Sequence, residues 1–167
     1  MGQATIAPDS AVPSRPVAAT VRVVPNARFD HIDLVVTSLE RSLEFYRGLL
    51  EPLGWTDVSE ITGERGETVV YLSPSHRGAS ALGLRERQSA DQTPYDRYAV
   101  GLHHLCFTAP SREAVNESAT WLAANEAEIE SRPQEYDYAP GYYAMFFFDP
   151  DGIKLELRAD PLGADER

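Results

Sequence analysis

The stretch Asp149-Pro150-Asp151-Gly152-Ile153-Lys154-Leu155-Glu156-Leu157 places a tight turn directly before a strand. Asp-Pro and Asp-Gly are strong turn formers. Ile153, Leu155 and Leu157 alternate with Lys154, Glu156 and Arg158, which gives the strand one apolar and one charged face. A glutamate held in the middle of such a strand needs a partner. It is either a solvated or salt-bridged carboxylate, or a ligand aimed at a metal whose other ligands come from elsewhere in the chain.

Outward from this stretch the chain reads as one pattern written twice. Phe29-Asp30-His31-Ile32-Asp33-Leu34-Val35-Val36 is a strand candidate with Ile32, Leu34 and Val36 on a helix-packing face and His31, Asp33 and Val35 on the other. Thr37 is expected to cap a helix, with Glu40 completing a capping box. The stripe Leu39, Leu43, Tyr46 and Leu50 would cover the apolar strand face, and Pro52 and Gly54 would end the helix. Strands are expected near 55–61, 67–72 and 80–87. A polar connector follows, and then a second strand over 100–108. Ser111 should cap a helix with the stripe Val115, Ala119 and Leu122, and Asn125 should take the left-handed closing position. Strands near 129–132, 142–148 and 153–159 complete a second β-α-β-β-β unit.

Register supports the repeat. An offset of 73 sets Phe29-Asp30-His31 over Leu102-His103-His104 and Leu82-Gly83-Leu84-Arg85 over Leu155-Glu156-Leu157-Arg158. The helix ends fit 71 instead. The expected fold is therefore α+β: two βαβββ modules forming a cupped, partly open mixed sheet with helices outside. Module one spans 28–88, a connector 89–99 and module two 100–160, between a flexible tail at 1–27 and a short one at 161–167.

A net charge of −11 and a pI near 4.7 oppose binding to nucleic acid or an anionic membrane, because no cluster of Lys and Arg is present to neutralise phosphates. Small molecules or another protein are the expected partners. The single cysteine, Cys106, excludes an internal disulfide and any Cys-pair metal site. No stretch approaches the roughly 18 apolar residues of a membrane span. Residues 1–24 lack the basic start and apolar run of a secretory signal, so a cytoplasmic location is expected.

The repeat makes His31 and His104 equivalent positions on the strand face opposite the helix and puts Glu156 on the matching face of a last strand. Two imidazoles and one carboxylate, with further coordination positions open, suit a divalent metal whose open positions are chelated by substrate oxygens. By strand parity His103 points the other way. His76 falls in a loop, Cys106 reads as a small buried thiol, and Lys154 is expected to be exposed. Tyr138, Tyr142 and Tyr143, around an Ala-Pro-Gly turn, and Asp33 are candidates for substrate contact.

The opening "DHIDLVV…LERSLEFYRGLL", together with "LHHLCFTA" and "FFFDPDGIKLEL", resembles the vicinal oxygen chelate superfamily over about residues 28–160. That superfamily includes glyoxalase I, extradiol dioxygenases, epimerases, fosfomycin-modifying enzymes and bleomycin-sequestering proteins. The resemblance implies metal ligands at His31, His104 and Glu156, with Glu156 also catalytic and the ion being Fe, Mn, Zn or Ni. The fourth ligand of glyoxalase-type members would fall on Gly83, which has no side chain to offer. The tyrosine usual in extradiol enzymes falls on Phe146. The resemblance thus implies a metal-dependent isomerase, lyase or ring-cleaving dioxygenase acting on a small oxygen-rich substrate, or a metal-free drug-sequestering protein. It also implies a homodimer, with the cavity built within one chain or by exchange between two.

Overall fold

The computed structural model describes residues 29–76, 79–89 and 94–160. The tails expected at 1–27 and 161–167 lie outside the described residues. Module one consists of β1 (His31–Val36), α1 (Leu39–Leu50), a 3-10 turn (Glu51–Leu53), β2 (Asp57–Thr62), β3 (Thr68–Ser73) and β4 (Ala81–Glu86). Module two consists of β5 (Leu105–Ala109), α2 (Arg112–Ala124), β6 (Ile129–Glu135), β7 (Tyr143–Phe148) and β8 (Lys154–Ala159). Each forms a four-stranded mixed sheet, in the orders β1-β4-β3-β2 and β5-β8-β7-β6. The sheets are not closed.

Pairing register carries the repeat into three dimensions. His31 faces Ala81 in the parallel pair β1–β4, and Leu105 faces Leu155 in the parallel pair β5–β8, so the same 50-residue step joins first and last strand in both modules. Asp33 therefore faces Gly83 where Cys106 faces Glu156. The helix starts obey the same offset of 73, because the caps are Ser38 and Ser111, whose side chains accept from the amides of Arg41 and Ala114. The cap expected at Thr37 is thus one residue early. Thr37 is drawn instead to Asp151 of the opposite module, which takes both its amide and its hydroxyl.

The helices end through matching bonds, from Trp55 N to Leu50 O and from Ala127 N to Leu122 O. The left-handed residue is Gly54 (φ 90°) in one and Glu126 (φ 56°) in the other, while Asn125, expected there, has φ −98°. A glutamate in this conformation crowds its Cβ against the backbone. Glu126→Gly is therefore expected to raise stability by about 1 kcal/mol, read as a shift in the urea midpoint at unchanged slope.

One apolar core serves both modules. It joins Leu34, Leu82 and Leu84 of the first sheet to Phe107, Leu155 and Leu157 of the second through residues of both helices. The buried stripe of α1 is Phe45, Tyr46, Leu49 and Leu50, while Leu39 and Leu43 are only partly buried at its margin. The stripe is rotated because α1 packs on module two as well as on its own sheet. Phe45 lies 6.0 Å from the Trp121 ring of α2, and Trp55 lies 5.4 Å from Phe107 of β5.

The turn before β8 locks this junction. Asp149 is 5% exposed; its Oδ1 accepts from the amides of Asp151 (2.9 Å) and Ile153 (2.8 Å), and its Oδ2 from the hydroxyl of the fully buried Tyr46 (2.9 Å). Asp151 accepts from the Thr37 amide (2.8 Å) and the Arg41 guanidinium (2.6 Å). With the helices and this turn filling one side, the opposite face of each sheet is left open.

Candidate active site

Glu156 stands on the open face of β8. It is opposite Cys106 on one side and Phe146 on the other, and it is only 3% exposed. A buried carboxylate must be satisfied by its surroundings, and here both oxygens are. Tyr142 donates its hydroxyl to Oε1 at 2.6 Å, and His104 Nε2 approaches Oε2 at 3.2 Å. His104 immediately precedes β5, which carries it to the floor of a pocket of about 460 Å³.

The pocket wall is aromatic. Tyr136 and Tyr138 stack with ring centres 5.4 Å apart, Tyr138 meets Tyr142 edge-on, and Tyr136 meets Phe146 edge-on. Lys154, expected to be exposed, instead lies with its ammonium 4.5 Å above the Phe146 ring, and its side chain is 12% exposed. It pairs with Glu130, which also holds Arg97 at 2.9 Å. The hydrogen bond from Lys154 lowers the Glu130 pKa below the ordinary carboxylate value. His103 is also in the pocket wall, its Nδ1 2.8 Å from His104 Nδ1. Parity misplaced it because β5 begins at Leu105, and alternation does not extend back through the loop.

His31 is brought to the open face of the other sheet. Its Nδ1 lies 2.9 Å from Asp30, whose hydrogen bond raises the imidazole pKa, and its ring meets Tyr71 edge-on at 5.8 Å. Its side chain is 51% exposed. Among the described residues, no three His, Cys, Asp or Glu side chains of one chain converge as a metal site. The expected triad is thus present as a pair, His104 and Glu156, and a separate histidine.

With the paired modules and this pocket in view, comparison with known proteins is decisive for the family. The family model of the Glyoxalase/Bleomycin resistance protein/Dioxygenase superfamily matches residues 28–157. The chain belongs to this superfamily. It is 33% identical over 129 residues to the Bacillus subtilis protein YwkD, covering 76% of this chain and 92% of that one. It is 30% identical over 134 residues to the metallothiol transferase FosB of Staphylococcus epidermidis, covering 80% of this chain and 84% of that protein. A solved glyoxylase/bleomycin resistance protein/dioxygenase domain from Frankia sp. EAN1pec superposes with a TM-score of 0.66 at 23% identity, covering 80% and 98% of the two chains; it shares the fold.

Gly83, the module-one counterpart of Glu156 in the strand register, has no free space above it. A Cβ on Gly83 would lie 2.2 Å from Asp33 Oδ1 and 2.7 Å from the Tyr71 ring. Asp33 pairs with Arg85, which also reaches Glu67 at 2.9 Å, and Tyr71 donates to Asp33 at 3.4 Å. Asp33, a candidate for substrate contact, is therefore engaged by its own module. Gly83→Ala is expected to cost about 1–3 kcal/mol through overpacking. In an Asp33→Ala background the cost should fall by about 1 kcal/mol, a coupling that paired chemical denaturation would measure.

The remaining candidates divide. Tyr138 and Tyr142 are in the pocket. Tyr143 is not: its hydroxyl donates to Asn116 of α2 at 2.8 Å, and Arg112 lies 4.9 Å over its ring. Cys106, expected to be buried, is exposed on the open face, where desolvation and the neighbouring Glu156 carboxylate push its thiol up to about 12. Tyr136 belongs to the same aromatic stretch and also lines the pocket. Tyr136 and Tyr142 flank the Ala-Pro-Gly turn, and the bond from Tyr136 N to Tyr142 O (2.8 Å) closes that loop.

The pair His104 and Glu156 fits a divalent ion. Metal–ligand bonds of about 2.1 Å at right angles set adjacent donors about 3 Å apart. The observed Nε2–Oε2 separation of 3.2 Å matches that spacing and equally matches a direct imidazole–carboxylate contact.

Proposed function

We propose that this protein is a metal-dependent enzyme acting on a small oxygen-rich substrate. The observation that carries the reading is the His104–Glu156 pair at the floor of the aromatic pocket. His104 and Glu156 would hold the ion, and His31 of a second copy would complete the set, the open face of module one covering the pocket of its partner. Support for this exchange comes from the matched register of the two modules and from the exposure of His31, Val35 and Ile61 on a sheet face that the described residues leave uncovered. When bound, a divalent ion supplies Lewis-acid polarisation of adjacent substrate oxygens. The chain's own residues do the rest. The tyrosine wall orients a flat or apolar body and excludes water, and Arg158, over the Tyr142 ring, sets positive charge beside the pocket, whereas the Lys154 charge is met by Glu130.

Protein purified without chelator is expected to carry close to one divalent ion per chain, with Fe, Mn, Zn and Ni compared by reconstitution. His104→Ala should lose it, and equal, negligible metal in both would sink the reading. Similarity to a metallothiol transferase makes thiol consumption the first activity to assay. Oxygen uptake by the Fe(II) form with catechol-like substrates tests the dioxygenase alternative.

A second reading, a metal-free binding protein, is favoured by one observation: both Glu156 oxygens already have partners within the chain. Ligands that raise the melting temperature equally with and without metal would support it.

A further inference from the structure

We propose that Tyr142 is the positioning residue for Glu156, fixing which carboxylate oxygen faces the ion; the inference rests on the metal site proposed above. Phe146, directly opposite Glu156 in the strand register, carries no hydroxyl, and Cys106 on the other side offers only a weak thiol donor. Tyr142 provides a hydroxyl from the end of the tyrosine loop, 2.6 Å from Oε1.

The loop is built to hold that ring still. Its base is closed by the bonds from Tyr136 N to Tyr142 O (2.8 Å) and from Tyr142 N to Ala139 O (3.1 Å). One side of the Tyr142 ring is covered by the Arg158 guanidinium at 4.6 Å, and the Tyr138 ring meets it edge-on at 5.4 Å.

With Oε1 bound to Tyr142, Oε2, the oxygen beside His104, is the one presented to an ion. Glu156 would then offer an ion that one oxygen, with Oε1 kept by Tyr142. Outer hydrogen bonds of this kind tune affinity by fixing a ligand's orientation before the metal arrives.

The test uses the full-length protein with Zn(II) and Co(II) as probes. Tyr142→Phe is expected to weaken metal binding by about 10- to 100-fold in titration calorimetry. It should also alter the visible spectrum of the Co(II) form, because the freed carboxylate can close on the ion with both oxygens. Tyr143→Phe removes a hydroxyl one residue away that bonds to α2, and it should keep wild-type affinity and spectrum. Equal affinities for wild type and Tyr142→Phe overturn the assignment, as does a loss shared equally by Tyr143→Phe. Wild-type protein that takes up neither metal overturns the metal site itself, and this inference with it.

Discussion

A dimer assembled from one His31→Ala chain and one Glu156→Gln chain is expected to bind one divalent ion per dimer with wild-type affinity. Each variant alone should bind at least about 100-fold more weakly, since losing a direct ligand costs no less than losing an outer-shell partner. The arithmetic follows from exchange between copies. In one of the two sites both defects coincide. In the other, His31 of the Glu156→Gln chain meets the intact His104 and Glu156 of its partner. If all three ligands came from one chain, both sites of the mixed dimer would be defective and no such recovery would occur. Co-expression with two affinity tags isolates the mixed species, and metal analysis with titration reads the stoichiometry. A monomeric wild-type protein that still holds one ion per chain through His31 would refute the exchange.

Asp149→Ala is expected to damage the fold severely, at about 3 kcal/mol, or a melting temperature lower by about 10 °C. The substitution leaves the fully buried Tyr46 hydroxyl and the amides of Asp151 and Ile153 without an acceptor, at the point where the modules are joined. Tyr46→Phe should cost about 1–2 kcal/mol by stranding one oxygen, and the double variant should show coupling of about 1 kcal/mol. The pH dependence has a definite sign. Burial holds the Asp149 carboxyl above its ordinary pKa. Between the unfolded and folded values the native state therefore binds more protons than the unfolded chain, and this group's contribution to stability falls as pH rises through that window. Asp149→Asn should flatten this part of the pH profile, which denaturant titrations at a series of acidic pH values would reveal.

The Asp149-Pro150-Asp151-Gly152 turn thus has a role that its composition did not disclose. Asp-Pro-Asp-Gly is legible as a turn because backbone preference is local. That its two carboxylates clamp Tyr46, Thr37 and Arg41 of the other module depends on residues more than 100 positions away. Thr37 illustrates the same limit from the other side: its sequence context suited a cap, yet the longer-range partner took its hydroxyl and Ser38 became the cap. The stripe of α1 shifted for a related reason, since a helix that packs on two modules turns a different edge inward from one that covers a single sheet.

By itself, the sequence determined the two βαβββ modules, their offset of 73, the apolar and open faces of β1, β5 and β8, and the candidacy of His31, His104 and Glu156. All of these follow from periodicity and turn chemistry, which act over a few residues and repeat. Only the tertiary structure decided that His104 and Glu156 meet while His31 stands on a separate sheet. It alone turned Tyr142 toward Glu156 and Tyr143 toward α2, packed Asp33 and Tyr71 into the space above Gly83, and placed His103 in the pocket. The physical reason is that side-chain alternation fixes which face a residue occupies. How two sheets lie against each other is set by the packing of a shared core, and that energy is a sum over contacts between distant parts of the chain.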